Sequence, residues 1–176
     1  MSTDFPPAIP APPPAPVAAR ILAPREALAY FDTRGVLVPD RITALEAWNR
    51  VKARPLPGLR QAFWLRDAIS SRFGVKRIGG FTRTRVTTTA PGKRLDFFLV
   101  EEASDERLLL SERDRHLDVL TCVTATPEGT GTRVAITSSV RTHNLFGRAY
   151  MIPVGPAHKL IVALMLRRLA RALPPS

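Results

Sequence analysis

Between Leu95 and Arg141 the chain carries four β-patterned runs joined by turns too short to hold a crossover. Leu95 to Glu102 and Arg107 to Glu112 flank the turn Asp105-Glu106. His116 to Ala125 alternates, with His116, Asp118, Leu120 and Cys122 on one face. Pro127 to Gly131 makes a turn, and Thr132 to Arg141 alternates again, with Val134, Ile136 and Val140 on one face. Parallel neighbours need connections of roughly a dozen residues or more, so these runs pair as an antiparallel meander. Upstream, Arg83 to Thr89 is β-branched and polar, and reads as a further strand before the turn at Pro91-Gly92.

A sheet with one apolar face needs a cover. The pattern supplies it as a helix from about Pro156 to Leu173, with Pro156 in its first turn and Leu160, Ile161, Leu164, Met165 and Leu169 as its apolar stripe. Two shorter helices precede the strands. Thr43-Ala-Leu-Glu46 fits a capping box, after which Leu45, Trp48 and Val51 recur at helical spacing until Pro55 and Pro57. A second helix reads from Gly58 to Phe73, with Leu59, Phe63, Ala68 and Ile69 on one side and Gly74 as its stop. The fold class is α+β: an antiparallel meander wrapped around a long C-terminal helix, with two shorter helices near the N-terminus.

The length, 176 residues, suits one domain. Residues 1–20 hold seven of the seventeen prolines, with alanine between them. This composition cannot build a core, so residues 1–20 read as a disordered Pro/Ala-rich tail and 21–176 as a single domain. The N-terminus is acidic and prolines stand where a signal peptide needs an apolar stretch. The longest apolar run, Leu160 to Leu166, is too short to span a bilayer. The expected location is cytoplasmic. The single cysteine, Cys122, excludes an internal disulfide and reads as a buried small hydrophobe.

The formal charge of +11 is unevenly spread. Arg50 to Arg94 holds twelve basic residues and one acid, Asp67, whereas Leu95 to Val140 is net acidic. From Arg141 to the end there are six basic residues and no acid. Such polarity can draw in an anionic ligand, a nucleic acid or a lipid surface. Arginine outnumbers lysine twenty-two to four, and a compositional bias would give the same count with no function attached. The basic segment lacks closely interleaved aromatic residues of the kind that stack on bases, which disfavours nucleic acid.

Candidate chemistry lies late in the chain. His116 and Asp118 share a face of their strand and could act in acid–base work, metal binding or a plain hydrogen-bonded pair. The densest polar string is His143-Asn-Leu-Phe-Gly-Arg-Ala-Tyr150. In it Asn144 could cap a turn, Gly147 permit one, Arg148 grip a carboxylate or phosphate, and Tyr150 donate to a ligand oxygen. His158 falls in the first turn of the expected last helix. Metal-ligand spacings, a glycine-rich phosphate loop and a nucleophile elbow are all missing, so no metal and no cofactor is expected.

Asp114-Arg-His-Leu-Asp118, Thr142-His-Asn-Leu-Phe-Gly-Arg-Ala-Tyr150 and Pro156-Ala-His158 together resemble the bacterial family called domain of unknown function 2867. The likeness covers most of the chain after about residue 25 and is strongest from Arg115 to Leu166. The element order is also similar to the helix-grip arrangement of the lipid-transfer (START-like) superfamily. That resemblance implies a cavity between sheet and helix for an apolar or amphipathic molecule. The reading is therefore a binding module for a small apolar or amphipathic ligand, anionic ones included. His116, Asp118, His143, Asn144, Arg148, Tyr150 and His158 would be its ligand-binding residues. An enzyme using the same pocket, with His116 and Asp118 or His143 as base and Arg148 stabilising an anion, is the first alternative. A basic surface for a membrane or nucleic acid is the second.

Overall fold

The computed structural model describes residues 16–53, 82 and 84–171. After a single turn of 3-10 helix at Arg25–Ala27 come β1 (Tyr30–Val38) and α1 (Ala44–Ala53). The strands β2 (Arg94–Leu95), β3 (Phe98–Ala103), β4 (Arg107–Arg113), β5 (Leu117–Glu128) and β6 (Gly131–Thr142) follow, and then α2 (Leu145–Arg171). All six strands form one antiparallel sheet in the order β1-β6-β5-β4-β3-β2. The meander stands as expected, and β1 returns from the N-terminal side to pair with the last strand, Tyr30 opposite Val140 and Val38 opposite Thr132.

The structure differs from the sequence expectation at four places. Residues 84–89 form no strand. The backbone of Val86 is satisfied by a side chain instead: its N–H donates to Asn49 Oδ1 (3.1 Å) and its carbonyl accepts from Asn49 Nδ2 (2.8 Å). The single run expected at Leu95–Glu102 is broken by a turn at Asp96-Phe97, where Asp96 takes the left-handed conformation (φ 57°). Its carboxylate is fully buried and accepts from Trp48 Nε1 (3.1 Å), Lys52 Nζ (3.3 Å) and the Thr82 hydroxyl (2.7 Å). β1 was not expected as a strand. Finally, α2 starts eleven residues before Pro156, and Pro153 and Pro156 lie inside it on exposed positions, where water can take the carbonyls that a proline leaves unbonded.

Near the N-terminus the described residues hold one short α-helix rather than two, since the helix expected at 58–73 lies outside them. The Thr43 hydroxyl accepts from the Glu46 amide (3.2 Å), as a capping box requires. The Glu46 side chain turns outward to Arg50 (3.0 Å) and Arg85 (2.9 Å).

Both helices cover one face of the sheet. Val38, Trp48, Leu95, Leu108, Val134 and Leu166 are among the buried residues that meet there. α2 turns Gly155, Val162, Met165, Leu166 and Leu169 inward; Leu160, expected in the stripe, is 61% exposed. By length and mean hydropathy (1.4 over eighteen residues) α2 has the composition of a membrane-crossing helix, yet one side of it packs on β1, β6 and α1.

The opposite face carries a small cluster, Leu109, Leu120 and Cys122, with Leu22 laid over it. Residues 16–22 run along this face. The Val17 amide donates to Thr126 Oγ1 (3.2 Å), the Leu22 amide to Ser139 Oγ (3.1 Å), and Arg107 Nη1 to the Ala18 carbonyl (3.2 Å). The end of the segment expected as tail thus pairs with the sheet, and residues 1–15 lie outside the described chain. Cys122 is buried here, and burial pushes its thiol above the usual range.

Candidate functional site

The string His143–Tyr150 opens α2. Asn144 is its N-cap: Asn144 Oδ1 accepts from the Gly147 amide (2.9 Å), satisfying one of the free donors of the first turn. That bond turns Asn144 Nδ2 toward His116 Nδ1 (2.8 Å), so the imidazole accepts there and carries its proton on Nε2. Gly147 is required by a close approach rather than by a turn. A Cβ at this position would stand 2.3 Å from the His116 carbonyl oxygen, which also accepts from the His143 amide (2.9 Å).

His116 lies in the bend before β5, so it does not share a strand face with Asp118. Asp118 instead meets His143 Nε2 (3.1 Å) and Arg141 (3.3 Å). It shares its sheet face with Leu120 and Cys122, away from the helices. Phe146 packs edge-on against His116 (4.8 Å) and stacks toward Tyr150 (6.3 Å). Arg148 is exposed and lines an open depression of about 500 Å³ with Glu26, Leu28, Thr142, Met151 and Ile152. The structure therefore gathers His116, Asp118, His143, Asn144 and Tyr150 at the start of α2. Arg148 stands to one side, and His158 lies more than two turns further along the helix.

His158 belongs to a different group, on the sheet face that α2 covers. Its Nδ1 lies 3.2 Å from Tyr30 Oη, with the two rings edge to face at 5.6 Å. α2 can sit this close because residue 155 is glycine: a Cβ there would meet the Tyr30 ring at 3.2 Å. Positions 30, 32 and 34 share one face of β1. Arg34 Nε donates to Asp32 Oδ2 (2.7 Å), and Asp32 is the register partner of Ser138 on β6. Ser138 is 2% exposed, and its hydroxyl is the one buried side-chain polar atom without a hydrogen-bond partner among the described residues.

The electrostatics of this group are set by burial. Desolvation raises the Tyr30 phenol well above its usual value, and the Asp32 carboxylate adds to the shift. Desolvation lowers the His158 imidazole, with Asp32 acting weakly the other way. At neutral pH the tyrosine keeps its proton and the histidine is uncharged, beside an ion pair of zero net charge. Such a constellation offers hydrogen-bond donors and acceptors without net charge. Among the described residues no three His, Cys, Asp or Glu side chains assemble as a metal centre.

The sequence reading included His158 and missed Tyr30, Asp32, Arg34 and Ser138. The available signal was the alternation of Tyr30, Asp32 and Arg34 with Phe31 and Thr33, which becomes visible only once β1 is read as a strand.

The model of the family described as "Protein of unknown function (DUF2867)" matches residues 25–165. The chain belongs to this family. The match spans β1, the sheet and most of α2, and so includes every residue of both groups above. Among solved structures the chain is similar to the hypothetical protein jhp0584 from Helicobacter pylori, with 17% identity over 88% of this chain and 96% of that one, at a TM-score of 0.40. It is similar also to the Mll3558 protein from Rhizobium loti, with 17% identity, 77% and 96% covered, and a TM-score of 0.38. No curated protein matches.

Proposed function

We propose that this DUF2867 domain binds a small amphipathic molecule between the sheet and α2, as helix-grip, START-like domains do. Tyr30, Asp32, Arg34, Ser138 and His158 would receive its polar end. The observation that carries the reading is the Ser138 hydroxyl. A buried hydroxyl without a partner costs about 1–3 kcal/mol, and such groups concentrate where a ligand or water completes them. It sits opposite Asp32 on the same face as a neutral Tyr–His pair. The strand order, with β1 beside the last strand and a long helix across the sheet, supports the same reading. The net-neutral lining favours a hydroxyl or amide head group over a carboxylate.

The test is native mass spectrometry of freshly purified full-length chain, together with titration by a dansyl-labelled fatty alcohol. Parent protein should retain a mass adduct or bind the probe saturably. Ser138→Ala should weaken probe binding at least about tenfold, equivalent to about 1.4 kcal/mol, without lowering the stability of the ligand-free protein. Equal binding by parent and variant, or none by either, refutes the proposal. A catalytic reading draws on the same neutral imidazole, which could serve as a base. Conversion of the retained compound by the parent but not by His158→Gln would favour it.

A further inference from the structure

The outward side of α2 has the composition of an interfacial helix rather than of a solvent-facing one. Leu145, Ile152 and Leu160 are 80%, 75% and 61% exposed. Their spacings of seven and eight residues place them on one line along the helix. Ala149 and Pro156, also exposed, lie on that line between them. Toward the C-terminus the same line continues as Arg167 and Arg171, both exposed, while Arg148 and Lys159 flank its apolar part. Not one acidic residue occurs from Arg141 to Ser176, so no carboxylate of this segment offsets these cations.

We infer that α2 docks along the surface of an anionic bilayer. Leu145, Ile152 and Leu160 would enter the boundary between head groups and acyl chains, and Arg148, Lys159, Arg167 and Arg171 would meet lipid phosphates. The occupant follows from the charge. Exposed apolar side chains alone would suit a protein partner or a second copy of this chain. An apolar line whose charged neighbours on α2 are all cations complements a surface that is apolar below and negative above, with Glu26, beside Arg148 and Ile152, the acid that borders it from outside the helix. Long arginine and lysine stems can lie along the apolar boundary while their charged ends reach the phosphates. The inference is independent of the ligand proposal, because Leu145, Ile152, Leu160, Arg167 and Arg171 are exposed on the outward side of α2; Lys159 alone reaches back, its Nζ 5.8 Å from the Tyr30 ring.

Vesicle co-sedimentation of the full chain tests it. Vesicles of phosphatidylcholine with about one-third phosphatidylserine should sediment the protein, and pure phosphatidylcholine should hold far less, with binding falling as salt rises. Each cation near such a surface contributes roughly fivefold in affinity, so Arg167→Gln with Arg171→Gln should weaken binding about twenty-five-fold. Ile152→Asn with Leu160→Asn should abolish it while the circular dichroism and Tm of the protein stay unchanged, since both side chains already face outward. Equal sedimentation with both vesicle types, or none with either, overturns the inference. So does a change from dimer to monomer in the double-asparagine variant without any vesicle binding by the parent, which would assign this face to a second copy.

Discussion

Replacing Tyr30 with phenylalanine tests whether the Tyr30–His158 pair is held neutral in a dry setting. The variant keeps the ring, its contact with Gly155 and its edge-to-face packing on His158, so it opens no cavity. It removes one hydrogen bond and leaves His158 Nδ1 without its partner, which should cost about 1–3 kcal/mol. The pH dependence is more specific. Tyr30 is raised in the fold, so above about pH 10 the unfolded chain releases a proton that the folded chain keeps. Its contribution is complete below pH 10 and lost as the pH rises beyond it. His158 is lowered, so below about pH 6.5 the unfolded chain takes a proton that the folded chain refuses. Its contribution is complete above pH 6.5 and lost as the pH falls. Urea unfolding followed by tryptophan fluorescence from about pH 5 to 11 reads both limbs. Tyr30→Phe should flatten the alkaline limb relative to the parent and keep the acid limb, because burial, the main cause of the His158 shift, survives the substitution. Alkaline limbs that run parallel in the two proteins would refute the argument, since Tyr30 would then titrate as if in water.

Two further outcomes follow from packing. Asp96→Ala strands the Lys52 ammonium, 2% exposed, with its carboxylate gone, and should cost about 3–5 kcal/mol in urea unfolding; Asp96→Asn should cost less, because asparagine tolerates the left-handed backbone and keeps an acceptor for Trp48. In urea unfolding Gly147→Ala should destabilise by about 1–3 kcal/mol despite the better helix propensity of alanine, because its Cβ would meet a backbone oxygen at 2.3 Å; Gly155→Ala, with its nearest atom on the Tyr30 ring at 3.2 Å, should cost less in the same assay.

The meander was legible because each of its strands separates apolar from polar positions and is bounded by a turn. β1 was not, for a reason tied to its role. Its inward positions include Tyr30, Asp32 and Arg34, so alternation gives no apolar face until Val36 and Val38. Conversely, the threonine-rich run 84–89 has β composition but no neighbouring strand; its Val86 is held by the Asn49 amide, a tertiary contact thirty-seven residues away. The interruption at Asp96 is likewise caused by a distant partner, Lys52. The start of α2 was misplaced by treating Pro156 as a first-turn proline. The cap that counts is Asn144, and an exposed helix side tolerates two prolines beyond it.

Density of polar residues is a weaker guide to a ligand site than burial of polar residues. His143 to Tyr150 is dense because a helix begins there, caps itself with Asn144 and must pass close to the His116 carbonyl at Gly147. Each of those demands selects a particular residue with no ligand involved. The group around Tyr30 has no comparable local reason. Tyr30 and His158 are separated by 128 residues, and Ser138 meets Asp32 only through strand register. No spacing in the sequence links them. Yet folding buries a hydroxyl without a partner beside a desolvated Tyr–His pair, on the face where apolar residues would pack at less cost. A fold selected for stability alone would replace Ser138 with alanine or valine. The polar atoms buried there are the physical ground for the proposal that a ligand binds under α2 rather than at its N-terminus.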